Sequence, residues 1–248
     1  GTLMQSGSGT LILSGSNTYS GGTNLNAGSL FVNSGYALGT GSLTISASTT
    51  LGNSSGFALT LANNNAQVWA GSFGFAGSSN LNLGTGGVTL IASPVVTVSA
   101  GTLTVGGSIS GAYGLSKAGA GVLVLSGSNG YTGATSVSAG TLQVGAGSTS
   151  GSLSTGSVSV ATGAVLAFNR SNTTTQGSDF GAVISGAGAV MHFGSGTLIL
   201  SGSNTYSGGT NLNAGSLFVN SAYALGSGSL TISASTTLGN SSGSGLTL

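Results

Sequence analysis

One long stretch of this chain occurs twice. Residues 7–61 return as residues 194–248, an offset of 187 positions, and 51 of the 55 aligned positions are identical. The differing pairs are Gly35/Ala222, Thr40/Ser227, Phe57/Ser244 and Ala58/Gly245. Self-similarity at a fixed period is typical of solenoids and arrays, in which each unit packs only on its neighbours. We therefore expect residues 1–248 to form one continuous solenoid and to be a window of a longer array.

A shorter phrase recurs inside this unit. It reads Gly-x-Leu-x-Leu-Ser-Gly-Ser-Asn-x-Tyr-x-Gly and occupies residues 9–21, 121–133 and 196–208. Each copy runs on into an Ala-Gly-x-Leu-x-Val phrase, at residues 27–32, 139–144 and 214–219, and a fourth such phrase stands alone at 100–105. Asn and Tyr side chains at glycine-rich turns are suited to stacking at the corners of a coil. The predicted structural corner residues are Asn17, Tyr19, Asn129, Tyr131, Asn204 and Tyr206.

The local pattern is that of short strands. Short runs of Leu, Ile, Val and Thr alternate with Gly, Ser and Asn clusters, and no capped amphipathic stretch predicts a helix. A propeller or sandwich is closed and of fixed size, whereas a parallel β-helix extends indefinitely, so the long repeat favours the β-helix. With roughly 20–25 residues per turn, the 187-residue unit predicts about eight turns and a rise of about 38 Å.

Residues 109–144 give the pattern a specific likeness. They read Ile-Ser-Gly-Ala-Tyr-Gly-Leu-Ser-Lys-Ala-Gly-Ala-Gly-Val-Leu-Val-Leu-Ser-Gly-Ser-Asn-Gly-Tyr-Thr-Gly, followed by the Ala-Gly-Thr-Leu-Gln-Val phrase. This stretch resembles the autotransporter-associated β-strand repeat, and the likeness recurs at 1–32 and 184–219. The resemblance implies an all-β fold, a right-handed parallel β-helix, in large secreted or surface-displayed bacterial proteins. It also implies roles in passenger translocation, adhesion and self-association.

One position of the family phrase varies among the three copies. The resembled family places a Lys there, and this chain has Gln5, Lys117 and His192. Because the position accepts three different polar side chains, we expect it to be a solvated surface position without a catalytic role.

Charge is almost absent. Charged residues make up 1% of the chain, against about 25% in ordinary globular proteins. Nucleic acid and anionic membrane surfaces are therefore unexpected partners, since both need clustered Lys or Arg. The most apolar stretch, residues 88–98, is too short for a membrane-spanning helix. A surface without like-charge repulsion predicts self-association, along the axis and also laterally.

Catalytic chemistry lacks the residues it needs. Glycoside hydrolysis usually requires two carboxylates, and this chain has only Asp179. One His, one Asp and no Cys cannot build a metal shell. Residues 52–56 fit Gly-x-Ser-x-Gly, but a nucleophile elbow needs a following helix. We predict no enzyme activity, no cofactor, and no catalytic or metal-binding residue.

The sequence leaves two functional interpretations open. The first is a secreted or cell-surface β-solenoid that forms a fibre, stalk or adhesive scaffold, through long covalent repeats or end-to-end stacking. The second is a carbohydrate-binding or polysaccharide-acting module of a larger surface protein. The aromatic residues fit a sugar-stacking stripe in the second case and packing groups of the repeat in the first. They include Tyr19, Tyr131, Tyr206, Phe31, Phe218 and Trp69.

Overall fold

The protein is a parallel β-solenoid of about 11 turns. The computed structural model describes residues 1–153, 156–181 and 183–247, and no helix occurs in these ranges. Every strand pairing in them is parallel, which confirms the predicted all-β β-helix. The hand of the coil stays a prediction. Leu248, the last position of the second long repeat, lies outside the described residues.

Four parallel sheets make up the solenoid. The first contains β1 (Leu3–Gln5), β3 (Thr23–Leu25), β5 (Leu43–Ile45), β8 (Gln67–Trp69), β11 (Val88–Leu90) and β14 (Ile109–Ser110). The second contains β2 (Thr10–Leu13), β4 (Ser29–Val32), β6 (Thr49–Asn53), β9 (Phe73–Gly77), β12 (Val95–Val98), β15 (Leu115–Ala118), β17 (Thr135–Val137), β19 (Val158–Val160) and β22 (Ile184–Ser185).

The remaining two sheets start later in the chain. The third contains β7 (Leu59–Thr60), β10 (Leu81–Asn82), β13 (Thr102–Val105), β16 (Val122–Leu125), β18 (Thr141–Val144), β20 (Val165–Phe168), β23 (Ala189–His192), β25 (Thr210–Leu212) and β27 (Leu230–Ile232). The fourth contains β21 (Thr174–Thr175), β24 (Thr197–Leu200), β26 (Ser216–Val219) and β28 (Thr237–Asn240).

These sheets form three faces. Where a turn has a strand on every face, it visits the first, second and third sheet in that order, so the solenoid has a triangular course. Strands of the fourth sheet follow third-sheet strands directly, which is the place first-sheet strands hold in earlier turns. The fourth sheet therefore continues the first face. Between the last strand of the first sheet (β14) and the first strand of the fourth (β21), the face has no strand. There the Gly130 amide hydrogen-bonds the Ile109 carbonyl at 2.8 Å, so the stack of turns is not interrupted.

The core is a set of in-register columns. On the second face Leu30, Leu51, Phe75 and Val98 lie above one another, and all four are buried. Alternate residues point outward, as the strand period of two requires. Parallel register therefore places an apolar side chain on an apolar side chain at each turn, and burial of these columns drives the folding.

The long repeat unit does not contain a whole number of turns. From β2 the second sheet advances eight turns to β22, and the equivalent strand β24 lies two faces further on. The unit thus spans eight and two-thirds turns, or about 42 Å at about 4.8 Å per turn, slightly more than the eight turns predicted.

The sequence predicted slightly too few turns per repeat unit because the turns that contain the phrase are short. One turn carries the chain from Thr10 to Ser29, from Val122 to Thr141 and from Thr197 to Ser216. Each of these turns is shorter than the range assumed from the sequence, so the same length of chain completes more turns.

Because of the fractional turn, the three copies of the phrase lie on three different faces. The Leu-x-Leu strand of each copy is β2 on the second face, β16 on the third and β24 on the continued first face. The sequences of the first and third copies are nearly identical, so the phrase folds in the same way wherever it falls around the axis.

Candidate functional site at the repeat corners

The corner asparagine side chains hydrogen-bond to the backbone of neighbouring turns, and we call each such side chain an Asn rung. Asn129 Oδ1 accepts a hydrogen bond from the Ile109 amide at 2.8 Å, and its Nδ2 donates to the Ser152 carbonyl at 2.7 Å. Asn204 repeats this with the Ile184 amide at 2.8 Å and the Ala224 carbonyl at 2.6 Å. A primary amide offers one acceptor and two donors, so it replaces a peptide group between the turns before and after it.

The corner tyrosines point into the solenoid. Tyr131 and Tyr206 are buried, and each hydroxyl hydrogen-bonds a buried threonine later in the chain. The oxygen–oxygen distances are 2.7 Å for Tyr19–Thr23, 2.6 Å for Tyr131–Thr135 and 2.5 Å for Tyr206–Thr210. Burial raises the pKa of Tyr206 to about 12, and the Thr210 hydrogen bond opposes that shift.

The three corners also explain where the sheets begin and end. The first sheet stops at β14, where Asn129–Tyr131 is the next segment on that face. The second sheet stops at β22, where the Thr205 amide bonds the Ile184 carbonyl at 2.9 Å. The Asn-x-Tyr segment forms a loop and not a strand, so each sheet is interrupted at the face where the phrase turns its corner.

The position held by Gln5, Lys117 and His192 is inside the protein, so the expectation of a solvated surface was wrong. Lys117 and His192 are 0% and 1% exposed, and Gln5 is half-buried. The strand that carries each residue turns this side chain inward. The substitutions are tolerated because all three can donate a hydrogen bond to carbonyls of the glycine turn that follows.

We call the position held by Gln5, Lys117 and His192 the slot. Its side chains make similar hydrogen bonds to backbone carbonyls. Gln5 Nε2 donates to the carbonyls of Gly7 and Gly9, both at 2.9 Å. Lys117 Nζ donates to Ala118, Gly119 and Ala139 at 2.8, 2.7 and 3.2 Å, which uses all three ammonium protons. Burial lowers the pKa of the Lys117 ammonium to about 8, so it remains charged at neutral pH.

In the third copy the slot holds the buried ring of His192. Its Nε2 contacts the Gly196 carbonyl at 3.1 Å. Burial lowers the pKa of His192, against the backbone hydrogen bonds with Gly196 and Phe168. This ring is therefore neutral at pH 7 and packs as part of the core.

A glycine of the next turn fits against the same carbonyls. Gly140 has a φ of +64°, and a Cβ built there would overlap the carbonyl oxygens of Gly119 and Gly121. Gly28 and Gly215 have the same conformation and the same clash in their copies. The slot side chain, the glycine turn and this close-packed glycine together form what we call the glycine corner.

The Lys, Arg, His and Asp side chains hardly reach the surface. Besides Lys117 and His192, Arg170 is 7% exposed. Its Nη1 pairs with Asp179 Oδ1 at 3.1 Å, and Asp179 Oδ2 accepts a hydrogen bond from the Thr175 amide at 2.7 Å. Asp179 is the one of these four that is appreciably exposed, and it is paired. The described surface is therefore close to free of uncompensated charge.

The aromatic residues divide between packing and exposure. Trp69 is buried against Phe73 with ring centroids 5.0 Å apart, and Phe31 lies over Gly52 of the next turn. Of the stripe considered from the sequence, Trp69, Tyr131 and Tyr206 are buried packing groups, whereas Tyr19, Phe31 and Phe218 are half-buried. The exposed aromatic rings include Tyr36 and Tyr223, which sequence reasoning did not single out. The sequence did offer one signal for them, because Tyr36 and Tyr223 occupy equivalent positions of the long repeat.

Within the three described ranges, no three or more His, Cys, Asp or Glu residues group together as metal ligands would. Those ranges also hold no helix long and apolar enough to cross a membrane.

The chain is similar to known proteins at the three copies of the phrase. The passenger-associated-transport-repeat model matches residues 3–31, 115–144 and 193–218, which include the Asn–Tyr corners of all three phrase copies and the residues Gln5 and Lys117, while His192 lies just before the third match. The Brucella suis biovar 1 (strain 1330) protein named adhesin BmaC autotransporter is 39% identical over 136 residues. The chain therefore contains three segments that match the passenger-associated-transport-repeat.

The region that matches the Brucella adhesin covers 52% of this chain but only 4% of the adhesin. No solved structure matches the chain. What the whole relative does is therefore a basis for proposals only. All three Asn–Tyr corners lie in the segments that the family model matches.

Proposed function

We propose that this chain is a rigid, uncharged scaffold segment of an adhesin-type passenger, secreted or displayed at the bacterial cell surface. Its role is structural and adhesive, and it carries out no catalysis. The supporting observation is the continuous parallel stack of about 11 turns, whose Lys, Arg, His and Asp side chains are buried or paired. The similarity to an adhesin is in line with this role.

The absence of surface charge supports contact with other copies and with other uncharged surfaces. Two like-charged proteins repel within about 8 Å at physiological ionic strength, and this chain lacks that barrier. Outward residues are mainly Ser, Thr, Asn and Gly, which offer hydrogen bonds without a desolvated ion. We expect fibres or stalks from long covalent repeats or from end-to-end stacking, with lateral contact between faces.

Cell-surface labelling tests the location. An antibody raised against the folded chain should label intact cells of the source bacterium or its culture medium, and external protease should remove the label. Labelling only after cells are permeabilised would contradict the proposal. A cytoplasmic protein tested in parallel controls for lysis.

Sedimentation velocity tests self-association. Outward-facing Thr89 on the first face and Ser159 on the second are exposed, so T89K/S159K adds charge without touching the core. We expect the wild type to form larger species as concentration rises, and the lysine variant to form fewer, with recovery in salt. The matched control is T89Q/S159Q, which adds length without charge. Equal behaviour of all three would rule out charge-free contact as the cause.

A further inference from the structure

Beside the first corner lies a groove on the third face. It is lined by Ser16, Asn17, Thr18, Tyr36, Thr40 and Asn63, and it encloses about 360 Å³. The Tyr36 ring is 51% exposed and forms its apolar surface. Most of the accessible lining is apolar, with a smaller contribution from hydroxyl and amide atoms. We call this the Tyr36 groove.

The groove is held in place by the backbone. The Asn17 amide donates to the Tyr36 carbonyl at 3.1 Å, and the Thr40 amide donates to the Tyr19 carbonyl at 3.0 Å. Asn63 Nδ2 donates to the Gly39 carbonyl at 2.6 Å. Because bonds between three successive turns fix these residues before any ligand arrives, little conformational entropy remains to be lost on binding.

The bonds between the first two turns of this arrangement occur again at Tyr223. The Asn204 amide donates to the Tyr223 carbonyl at 3.0 Å, and the Ser227 amide donates to the Tyr206 carbonyl at 3.0 Å. Tyr223 is 68% exposed. Four of the six lining positions recur as Ser203, Asn204, Thr205 and Tyr223, and Thr40 is replaced by Ser227, which keeps the hydroxyl. The position equivalent to Asn63 would be residue 250, beyond the last residue of the sequence, so only the part of this groove that belongs to the first two turns is seen. We call this the Tyr223 groove. The second phrase copy has no counterpart, because the position equivalent to Tyr36 is Ser148.

The chemistry of these grooves selects a ligand class. An exposed tyrosine ring offers an apolar face with a polar edge, and the neighbouring Asn, Ser and Thr groups supply neutral donors and acceptors. Sugar rings present C–H groups on one face and hydroxyls around the rim, which match both. Among the described residues, none that lines the Tyr36 groove is charged, so an anionic polymer would find no counter-charge there. We infer that the Tyr36 and Tyr223 grooves bind neutral saccharide chains.

Their placement adds a second property. The two grooves are separated by eight and two-thirds turns, about 42 Å along the axis, and they face different sides of the solenoid. One protein therefore holds two separate saccharide chains and cross-links them. Two sites on one rigid body also raise the apparent affinity for a polymer above that of either groove. This inference rests on the proposed adhesive function and deepens it by naming the chemistry of its partner.

Binding to immobilised dextran, mannan and galactan, followed by biolayer interferometry, tests the first part. Y36A and Y223A should each weaken binding to at least one of these polymers about tenfold, and Y36A/Y223A should abolish it. Tyr113→Ala is the matched control, since Tyr113 is also exposed and lies outside both grooves. No binding to any of the three polymers, or equal loss in the Tyr113 variant, would overturn the inference. Stronger binding to dextran sulfate than to dextran would do the same.

Light scattering with the soluble polymer tests the cross-linking. At concentrations where the protein alone is monomeric, the wild type should increase particle size and each single variant should not, although each single variant still binds. Particle growth with either single variant would overturn the cross-linking. A protein found on the cell surface but without saccharide binding would refute this inference alone. A cytoplasmic location would refute the proposed function whatever the binding results.

Discussion

Turns that contain the repeat phrase differ from the turns between them. The phrase closes a short turn, which pairs Thr10 with Ser29 in the first copy and Thr197 with Ser216 in the third. Other turns are longer, and one of them pairs Val158 with Ile184. The short turns all use the same devices, namely the Asn rung, the Tyr–Thr pair and the glycine corner.

The longer turns are held by bonds that occur once each. Arg170 donates to the Gly151 carbonyl at 2.9 Å and to the Thr149 carbonyl at 2.9 Å, which ties down the extra loop of the preceding turn. A phrase-bearing turn is thus specified by its own residues, whereas a longer turn depends on a particular neighbour. The following predictions test that contrast.

The largest effect should come from the glycine corner. We expect Gly140→Ala to destabilise the protein by about 4 kcal/mol, because the added Cβ meets two carbonyl oxygens and the residue has a positive φ. Gly163→Ala is the control. Gly163 has a φ of +76° but nothing within 4 Å of the added Cβ, so about 1 kcal/mol is expected. Urea unfolding followed by circular dichroism measures both, and equal losses would show that the close contact is not important.

The Lys117 slot should make stability depend on pH. Its pKa is about 8 in the folded protein and 10.5 as the ordinary value. Between these values the unfolded chain binds a proton that the folded protein does not, so stability should rise with pH from 8 towards 10.5, by up to about 3 kcal/mol. Below pH 8 both states are charged and the slope vanishes.

Lys117→Gln should remove this rise and still fold, because Gln5 fills the same slot in the first copy. Urea midpoints at pH 7, 8, 9 and 10 check it. The range stops at pH 10 because Tyr206, with its pKa raised to about 12, acts in the opposite direction above that pH. A variant whose midpoint rises as much as the wild type would refute the assignment to Lys117.

The Asn rungs should differ by copy although their sequences agree. Asn204 bonds Gln176, the Ile184 amide and the Ala224 carbonyl. Asn204→Ala leaves these groups without that partner and should lower the free energy of unfolding by about 2 kcal/mol. Asn17 is less buried and donates to Ala37, so Asn17→Ala should cost under about 1 kcal/mol. Thermal melts of the two variants compare them directly. The reverse order would mean that burial does not set the strength of a rung.

The Tyr–Thr pair should give the smallest effect. Tyr206→Phe leaves the buried Thr210 hydroxyl without its tyrosine partner and should cost about 1 kcal/mol. Tyr19→Phe should cost less, since Tyr19 is half-buried and water can reach its pair. The free energy of unfolding from urea titrations measures both. Double variants with Thr→Val at the paired positions would recover most of the loss if the hydrogen bond is the cause.

Much of the fold was predictable because the information is local. The Leu-x-Leu and Ala-Gly-x-Leu-x-Val phrases predicted strands, and their period predicted the solenoid. The burial of Lys117 was not predictable from variation alone, since a slot that accepts Gln, Lys and His looks like surface. What such residues share is the ability to hydrogen-bond backbone carbonyls of the turn that follows within four residues, and the sequence does not show that the chain folds back over the side chain there.

The non-integer number of turns in the repeat unit also could not be predicted from the sequence. Turn length varies between the short Thr10–Ser29 pairing and the long Val158–Ile184 pairing, so no fixed period converts the long repeat into a number of turns. The groove at Tyr36 needs residues from three successive turns, including Asn17 and Asn63. A scan of the chain for short motifs does not assemble it.

The self-contained phrase has a consequence for how such a gene can grow. A duplicated segment normally has to restore the frame of the structure it enters, and in a solenoid that frame would be a whole number of turns. Here the copied segment sits a third of a turn out of phase with its source, and its phrase still makes the same Tyr–Thr pair and the same backbone bond from the Asn amide to the next turn. Unequal recombination can therefore lengthen the protein at many breakpoints, because each inserted phrase closes its own turn.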